Sequence, residues 1–323
     1  MGWRTVIIKE RCQLSHKLDY LTIKCAEQTD PKNGIRTERI YLDEIDCIIV
    51  ESCASFFNTG LAAELARRKI AVVFCDRNHN PDAQLLPLSG TFDVRRKICE
   101  QLAWDDDIKD ALWQQIICAK IERQAAFLRE LGYGSCAYSD DIATDENAGT
   151  NNDVGALCHL ASTVLPGDPA NAEAQAARRY FARLFGIEFN RRDMSWEENG
   201  ALNYGYAVLL SAFNRAVVAN GCLTQLGIHH IGNENAFNLS CDLMEPFRPL
   251  VDRHIFSLRL WDLSPASKVR IVDVMNTQVI IEGNKQYLAN AIAIYCKNAL
   301  DALNTQNQDV FTSYEFDSIA KDK

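Results

Sequence analysis

The pattern of apolar residues changes near Gly90, and this change constrains the fold more than any other feature of the sequence. After Gly90, helical periodicity dominates as far as Leu303. Before it, the segment Thr59 to Lys69 has leucines and alanines at helical spacing. The other apolar segments before Gly90 are short β-rich runs between polar turns, namely TVIIK, YLTIKC, RTERIYL, DCIIV and IAVVFC. The sequence therefore predicts an α+β protein, with an N-terminal β-rich domain followed by a larger all-α domain.

Breaks in this pattern give the predicted domain boundaries. The segment from Asp76 to Gly90 contains Pro81 and Pro87 and is predicted to lead out of the first domain into a linker. A length of 323 residues agrees with roughly two domains. We predict four parts: a β-domain over 1–85, a linker over 86–92, a helical domain over 93–306 and a tail over 307–323 with little pattern.

The helical domain contains segments of different character. DIKDALWQQIICAKIERQAAFLREL is long and amphipathic, whereas GALNYGYAVLLSAFNRAVVANG is nearly all apolar. A helix that is apolar on every side is typical of the centre of a domain, so we predict that the second segment is buried. Two further helical stretches lie near 236–257 and 283–304.

Composition excludes some classes of protein. With 47% apolar residues the chain can form sizeable cores, and no apolar run approaches the roughly 20 residues of a membrane span. The N-terminus does not resemble a signal peptide, and myristoylation is weakly supported, so we predict a cytoplasmic protein. A formal net charge of −9 argues against nucleic-acid binding by bulk charge. It leaves open a local basic patch, a metal-assisted site or a basic partner.

The twelve cysteines do not have the spacing of a metal or redox motif, because no CxxC is present. Cys47, Cys75 and Cys118 lie within apolar runs. We therefore predict buried free thiols in a reducing cytoplasm rather than zinc or redox sites. The acidic segment 136–155 lacks the central glycine and the terminal glutamate of a calcium loop, and is predicted to be a solvated loop.

The segment DPANAEAQAARRYFARLFG has helix signals at both ends. Asp168 is the predicted N-cap, Pro169 the first helical residue, and Gly186 lies just past the end. Glu173 shares a face with apolar residues such as Tyr180. A carboxylate on that face must be paired, protonated or bound to a cation. The alternative is a first-turn glutamate that is favoured by the helix dipole and open to water.

A second group of candidates lies in GIHHIGNENAFNLSCDLMEPFRP. Asp242 and Glu245 are three residues apart in a predicted helix and share a face, and His230 precedes them across a polar loop. Asp242 could instead cap or pair, and a lone histidine is usually structural. Together with Glu173, these residues make a set of oxygen and nitrogen donors that suits Mg²⁺ or Mn²⁺ better than structural zinc. Spacing alone leaves both interpretations open.

Several motifs resemble those of the CRISPR-associated adaptation integrase, the universal spacer-acquisition endonuclease of CRISPR systems. GDPANAEAQAARRYF resembles its first metal-ligand helix, and ALNYGYAVL its buried central helix. GIHHIGNENAFNLSCDLMEPFRPLVD is similar to its histidine motif with the acidic motif that follows. WRTVII and CDRNHNPDAQLLPL are similar to members from type II systems. The resemblance covers nearly the whole chain, and its most specific motifs lie within 167–252.

This resemblance implies a set of site residues. The catalytic metal ligands would be Glu173, His230 and Glu245, binding Mg²⁺ or Mn²⁺ in a helical catalytic domain. His230 is chosen over His229 because the histidine of the family falls three residues after the glycine, here Gly227. Asp242 would be auxiliary. The chain departs from many members in having alanine after Glu173 where they have glycine, which is a small change.

DNA contacts are also expected. The resemblance implies that His229 contacts DNA. Arg248 lies three residues after Glu245, on or near the same face, so it would hold a phosphate or, alternatively, pair with Asp242 or Glu245. Further arginines could contact the DNA backbone or lie on solvated helix faces. The candidates are Arg178, Arg179, Arg191 and Arg192, with Arg95, Arg96 and Lys97 near the linker as weaker ones.

The implied reaction is the joining of 3′-hydroxyl ends of short DNA fragments to a CRISPR repeat by transesterification. The implied assembly is a heterohexamer, in which two homodimers formed through the β-domain flank a dimer of a small ferredoxin-like adaptation protein on double-stranded DNA. An effector nuclease and a further adaptation protein are additional partners that the sequence leaves open. Two alternatives remain: a metal-dependent nuclease or resolvase without integration, and a non-catalytic DNA-binding scaffold.

Overall fold

The computed structural model describes residues 2, 4–26, 35–77, 81–88, 93–136 and 152–317. The N-terminal part contains two four-stranded sheets and one helix, α1 (Thr59–Arg67). The strands of this N-terminal part are β1 (Arg4–Ile8), β2 (Cys12–Lys17), β3 (Tyr20–Ala26), β4 (Ile35–Tyr41), β5 (Ile45–Val50), β6 (Phe56–Phe57), β7 (Ala71–Cys75) and β8 (Pro81–Leu85). The first sheet has the order β1-β5-β7-β8, with β8 antiparallel to β7 and the other pairs parallel, and the second has the order β4-β3-β2-β6.

Strand β5 explains why apolar residues follow one another without a break after Asp46 in the run DCIIV. All six of its residues are buried, because each face of the first sheet packs against a different core. Ile48 and Val50 face the core between the two sheets, whereas Cys47 and Ile49 face the helices. Alternation along the strand therefore distributes apolar side chains to both sides, which is typical of a sheet covered on both faces.

The helical part is larger and follows the sheets in the chain. Its described helices are α2 (Val94–Leu102), α3 (Asp106–Glu130), α4 (Asp153–Thr163), α5 (Ala172–Phe185), α6 (Glu197–Ala219), α7 (Asn238–Met244), α8 (Arg248–Leu258), α9 (Pro265–Val272) and α10 (Leu288–Thr305). The central helix, α6, is buried along most of its length and contacts α7, α8, α9 and α10, as its apolar sequence predicts. The long helix α3 packs against α4, α5 and α8.

The predicted α+β organisation is confirmed, with one addition. The helical part contains a small sheet of order β10-β9-β11, formed by β9 (Gln278–Ile281), β10 (Asn284–Tyr287) and β11 (Glu315–Phe316). The predicted helix over 283–304 therefore begins only at Leu288, after β10. The tail, which has little sequence pattern, contributes β11. None of the described helices is long and apolar enough to span a bilayer.

The segment before the predicted linker differs from the sequence prediction. The segment predicted to lead into the linker contains the strand β8, which begins at Pro81 on the edge of the first sheet. An edge strand tolerates proline because the missing N–H need not donate to a neighbour. Residues 89–92 of the predicted linker and 137–151 of the acidic segment lie outside the described residues, so those predictions and the domain boundaries stay open.

The prediction of free thiols is wrong for four cysteines. Cys12 and Cys25 form a disulfide, because they face each other directly across the antiparallel strands β2 and β3 with Cα atoms 4.4 Å apart. Cys136 and Cys158 are also paired. The cysteines predicted from apolar runs are free, as expected: Cys47 and Cys75 are buried and Cys118 is half-buried.

Side chains from α6 attach the helices to the first sheet. The hydroxyl of Tyr204 donates a hydrogen bond of 2.9 Å to the buried carboxylate of Glu51, and Arg215 forms an ion pair of 2.6 Å with Asp46. The side-chain amide of Gln84, on β8, donates to the carbonyl oxygen of Ser211. The same helix that forms the centre of the helical core is therefore fixed to the sheet by polar contacts.

Candidate metal centre

Helix α5 positions Glu173 in its first turn. The predicted N-cap is wrong, because Asp168 to Asn171 form a turn before the helix and Asn171 is the N-cap. Asp168 still orders the helix start, since its carboxylate accepts hydrogen bonds from the backbone N–H groups of Ala172 and Glu173 at 2.7 and 3.0 Å. Glu173 lies at the edge of the buried face rather than within it, with 29% of its side chain exposed.

Asp242 organises the loop that contains both histidines. Its carboxylate is fully buried and accepts hydrogen bonds from the backbone N–H groups of Ile228, His229 and His230 at 2.6, 3.0 and 3.1 Å. The same carboxylate accepts a hydrogen bond from Nδ1–H of the His230 ring. This bond fixes the ring and its tautomer, and leaves Nε2 as the nitrogen that can bind a cation.

Glu245 is the first residue of a short 3₁₀ helix, Glu245–Phe247, between α7 and α8. Its carboxylate is buried and forms an ion pair of 2.9 Å with Arg248. Asp242 and Glu245, predicted to share a helix face, thus have different partners: Asp242 binds the histidine loop and Glu245 binds cationic side chains. The auxiliary role of Asp242 stays a prediction.

Lys120 links the two glutamates, and sequence analysis missed it. Its Nζ lies 2.5 Å from Oε1 of Glu173 and 2.5 Å from Oε2 of Glu245. Lys120 belongs to α3 and is 6% exposed. Its spacing in the helix could have identified it, because Ile116, Ile117 and Lys120 share the buried face of α3. A buried lysine on such a face requires an anionic partner.

The three predicted ligands approach one another, but they do not form a compact donor group in the described part of the chain. The donor atoms of Glu173, His230 and Glu245 are not all within 4.8 Å of one another. The ammonium group of Lys120 lies between the two carboxylates instead. The structure thus shows two carboxylates converging on a cation beside an oriented imidazole.

Charges in the site raise or lower the pKa values of its groups. Burial opposes ionisation of Glu245, but Arg248 and Lys120 outweigh it and lower the pKa of this carboxyl group. Burial likewise opposes the charged form of Lys120, yet Glu245 and Glu173 raise the pKa of its amine. The hydrogen bond with Asp242 raises the pKa of His230. Lys120 is therefore an ammonium ion between two carboxylates.

Trp113 supports the histidine pair from α3, and sequence analysis missed this residue too. Its buried indole ring stacks on the His229 ring with centroids 4.3 Å apart and planes 3° from parallel. The His230 ring meets the same indole edge-on at 5.9 Å. His229 remains exposed, so its predicted DNA contact stays open.

The predicted arginines fall into two groups. Arg191 is engaged within the fold, because it donates to Asn199 and Asn203 and lies over the Tyr206 ring. Arg248 pairs with Glu245, the alternative considered from sequence, and also stacks on Tyr206 with 4.9 Å to the ring centroid. Of the others, Arg179 forms an ion pair of 3.1 Å with Asp153, and Arg178 and Arg192 are exposed. Arg191 and Arg248 thus have partners within the fold, and the DNA contacts of all these arginines stay predictions.

Comparison with known sequences gives consistent matches. The family model described as CRISPR associated protein Cas1 matches residues 5–261. The chain is 34% identical over 299 residues to a CRISPR-associated endonuclease Cas1 of Neisseria meningitidis serogroup C, which covers 91% of this chain and 89% of the relative. It is 28% identical over 231 residues to such an endonuclease of Pyrobaculum aerophilum, covering 69% of this chain and 73% of that protein.

Solved structures show a similar fold at low sequence identity. A casposase bound to its integration product has a TM-score of 0.73 at 18% identity, covering 95% of this chain and 92% of that one. A CAS1 protein from Thermotoga maritima has a TM-score of 0.66 at 13% identity, covering 96% and 99%. A chain of a Cas6-RT-Cas1–Cas2 complex has a TM-score of 0.69 at 17% identity, covering 96% of this chain and 36% of that chain.

Proposed function

The chain belongs to the Cas1 family of CRISPR-associated proteins, and from this membership we propose that it is a metal-dependent DNA integrase and endonuclease of CRISPR adaptation. One observation carries the proposal. Two carboxylates on separate elements, Glu173 and Glu245, converge on one cation beside His230, whose ring Asp242 orients. A site that collects carboxylates and a fixed imidazole is suited to phosphoryl transfer with a divalent cation.

The residues fit Mg²⁺ or Mn²⁺. Glu173 and Glu245 would supply oxygen ligands, and Nε2 of His230 a nitrogen ligand. The bond between His230 and Asp242 is the arrangement in which an outer carboxylate orients a metal-binding histidine. When bound, the cation supplies Lewis-acid stabilisation of negative charge on the reacting phosphate.

The proposed reaction exchanges one phosphodiester bond for another. The 3′-oxygen of a short DNA fragment forms a bond to a phosphorus atom at the edge of the repeat, and the bond from that phosphorus to the 3′-oxygen of the repeat strand breaks. The attacking hydroxyl loses its proton and the leaving oxygen gains one, so that a new 3′-hydroxyl is released. Arg248 lies at the site and would stabilise charge on the phosphate oxygens.

The proposed partners are double-stranded DNA, a second copy of the chain and a small ferredoxin-like adaptation protein. Support comes from the name of one structural neighbour, a complex that contains Cas1 and Cas2. We propose a heterohexamer in which the β-domain forms the homodimer contact. Partner surfaces would then carry part of the DNA, which explains how a chain with a net charge of −9 can act on it.

A nuclease without integration is the second candidate. The relatives from Neisseria meningitidis and Pyrobaculum aerophilum are named endonucleases, and water in place of the 3′-hydroxyl would give hydrolysis with the same residues. A non-catalytic scaffold is less well supported, because a scaffold needs no pair of carboxylates directed at one buried position.

Strand joining tests the proposal. The purified chain and its small partner are mixed with a short 3′-hydroxyl DNA duplex and a supercoiled plasmid that carries a repeat, with Mg²⁺, with Mn²⁺ or with EDTA. We expect metal-dependent joining that falls at least about 100-fold in Glu173→Gln, since ligands of one cation act together. The matched control is Glu188→Gln, an exposed glutamate just after α5, which should retain wild-type joining.

Each other outcome has a definite meaning. Metal-dependent cutting without joining would favour the nuclease. Assembly with the partner and DNA, but with neither reaction, would favour the scaffold. Joining that survives Glu173→Gln would contradict the assigned site.

A further inference from the structure

Lys120 occupies the position toward which the two glutamates point. Its Nζ is 2.5 Å from a carboxylate oxygen of Glu173 and 2.5 Å from one of Glu245, and only 8% of its side chain is exposed. The carboxylates belong to α5 and to the 3₁₀ helix before α8, whereas Lys120 comes from α3. The ammonium group thus joins three elements at the candidate metal site.

Charge balance distinguishes this site from one that is open to a cation. Glu173 and Glu245 carry two negative charges, and Lys120 and Arg248 carry two positive charges within ion-pair distance of them. A divalent cation that binds these carboxylates must therefore displace the ammonium group of Lys120, which already neutralises them. Since a buried ammonium without an anion is costly, Lys120 would need another partner once it is displaced.

We propose that Lys120 competes with the divalent cation for Glu173 and Glu245, and that DNA relieves this competition by offering a phosphate group to the ammonium. This inference rests on the metal site of the proposed function. With the cation, Lys120 and Arg248 all present, the site has excess positive charge, which matches an anionic phosphodiester. Lys120 thereby links metal binding to DNA binding, and the linkage acts in both directions.

The consequence is a site that binds its cation weakly until substrate is present. Without DNA, Lys120 holds the two carboxylates in position and lowers the affinity for metal. With DNA, the ammonium moves to a phosphate oxygen and both carboxylates become available. If the same contacts are only a fixed structural ion pair, metal binding and DNA binding should not be coupled in this way.

Mn²⁺ affinity of the metal-free full chain tests this inference without any activity measurement. Free Mn²⁺ is followed by electron paramagnetic resonance, for wild type and Lys120→Met, with and without a DNA duplex whose 3′ ends are dideoxy. We expect Lys120→Met to bind Mn²⁺ at least about tenfold more tightly than wild type, because a competing positive charge is removed. DNA should tighten Mn²⁺ binding in wild type and change it much less in the variant.

The matched control is Lys297→Met. Lys297 lies on α10, its side chain is 66% exposed, and it pairs with Asp301 at 2.7 Å rather than with either glutamate. This variant should bind Mn²⁺ as wild type does, with the same response to DNA. Equal or weaker Mn²⁺ binding by Lys120→Met would overturn the inference.

Two further measurements keep the test decisive if Lys120→Met is unstable without metal. Recovery of its native circular dichroism on adding Mn²⁺, at concentrations that leave wild type unchanged, would support the inference. The second measurement uses wild type alone: a Mn²⁺ affinity that DNA does not alter would overturn it.

Failure of the metal site itself has a different signature. Wild-type Mn²⁺ binding that Glu245→Gln does not weaken would contradict the proposed function, and the inference with it. Binding that depends on Glu245 but is unchanged in Lys120→Met leaves the proposed function intact and overturns only the role of Lys120.

Discussion

At the scale of single residues, Asp252 is a buried carboxyl group that the proposed reaction does not use. It is 1% exposed, lies on α8 and accepts a hydrogen bond of 2.5 Å from the Tyr206 hydroxyl. Burial raises the pKa of Asp252 from 3.8 to about 6. Because this pKa is higher in the folded protein than in the unfolded chain, the protonated group favours the fold. Its contribution is complete below about pH 4 and is lost as the pH rises through about 6.

Asp252→Asn should therefore flatten the dependence of stability on pH. Between about pH 5 and about pH 7.5, we expect the free energy of unfolding of wild type to fall by about 1 kcal/mol more than that of the variant. Urea denaturation at both pH values measures this difference. The control is Asp82→Asn on the edge strand β8, where the side chain is exposed. A parallel pH dependence in wild type and Asp252→Asn would show that the carboxyl group is not held in its neutral form.

At the scale of elements, the histidine loop requires glycine at 227. A Cβ atom there would lie 2.3 Å from the carbonyl oxygen of His230 and 2.7 Å from Oδ2 of Asp242. Gly227→Ala should therefore displace the backbone that donates to Asp242, and so misplace His230. We expect a stability loss of about 1–3 kcal/mol by urea denaturation and a fall in strand joining of at least about tenfold.

Gly232→Ala is the matched change in the same loop. Its added Cβ would meet Asn235 and Asn238 only at 3.6 and 3.7 Å, which is ordinary contact. This variant should keep both stability and joining close to wild type. Equal losses in the two variants would mean that the loop responds to any side chain, and that the contact with Asp242 is not the cause.

Elements with a clear periodicity of apolar residues could be predicted from the sequence. Elements whose formation depends on contacts with other parts of the chain could not. The long helices α3 and α6 follow their apolar pattern closely. Strand β2 was missed because only Cys12 and Leu14 are buried in it, and so the disulfide partner of Cys25 was missed as well. The start of α5 was misplaced by three residues because the turn after Asp168 precedes the helix.

The candidate site shows the same division. Motif resemblance indicated Glu173, His230 and Glu245, and the structure brings these residues to one region. Asp242 and Arg248 support these residues from the same motif, whereas Trp113 and Lys120 come from α3, far away in sequence. Lys120 and Trp113 lie on the buried face of α3, among apolar residues. A single sequence does not show which side chains of other elements contact them.

At the scale of the whole molecule, the C-terminal segment returns to support the site. Tyr314 is fully buried, and its hydroxyl donates a hydrogen bond of 3.1 Å to the carbonyl oxygen of Pro246, the residue after Glu245. Its ring stacks on Phe247 with centroids 4.2 Å apart. The 3₁₀ helix that carries Glu245 is thus held from behind by a segment about 70 residues later in the chain.

Tyr314→Ala should therefore weaken both the fold and the site. We expect a loss of about 3–5 kcal/mol in the free energy of unfolding, because a large aromatic side chain leaves a cavity, and reduced joining because Glu245 loses its support. Tyr314→Phe removes only the hydrogen bond to Pro246 and should cost about 1 kcal/mol. The control is Tyr287→Ala, because Tyr287 is 43% exposed at the end of β10, and its loss should cost less than about 1 kcal/mol of stability. Urea denaturation and strand joining measure these effects together. A wild-type unfolding midpoint in Tyr314→Ala would mean that the C-terminal segment does not support the helix of Glu245, and that its contact with Pro246 contributes nothing to the site.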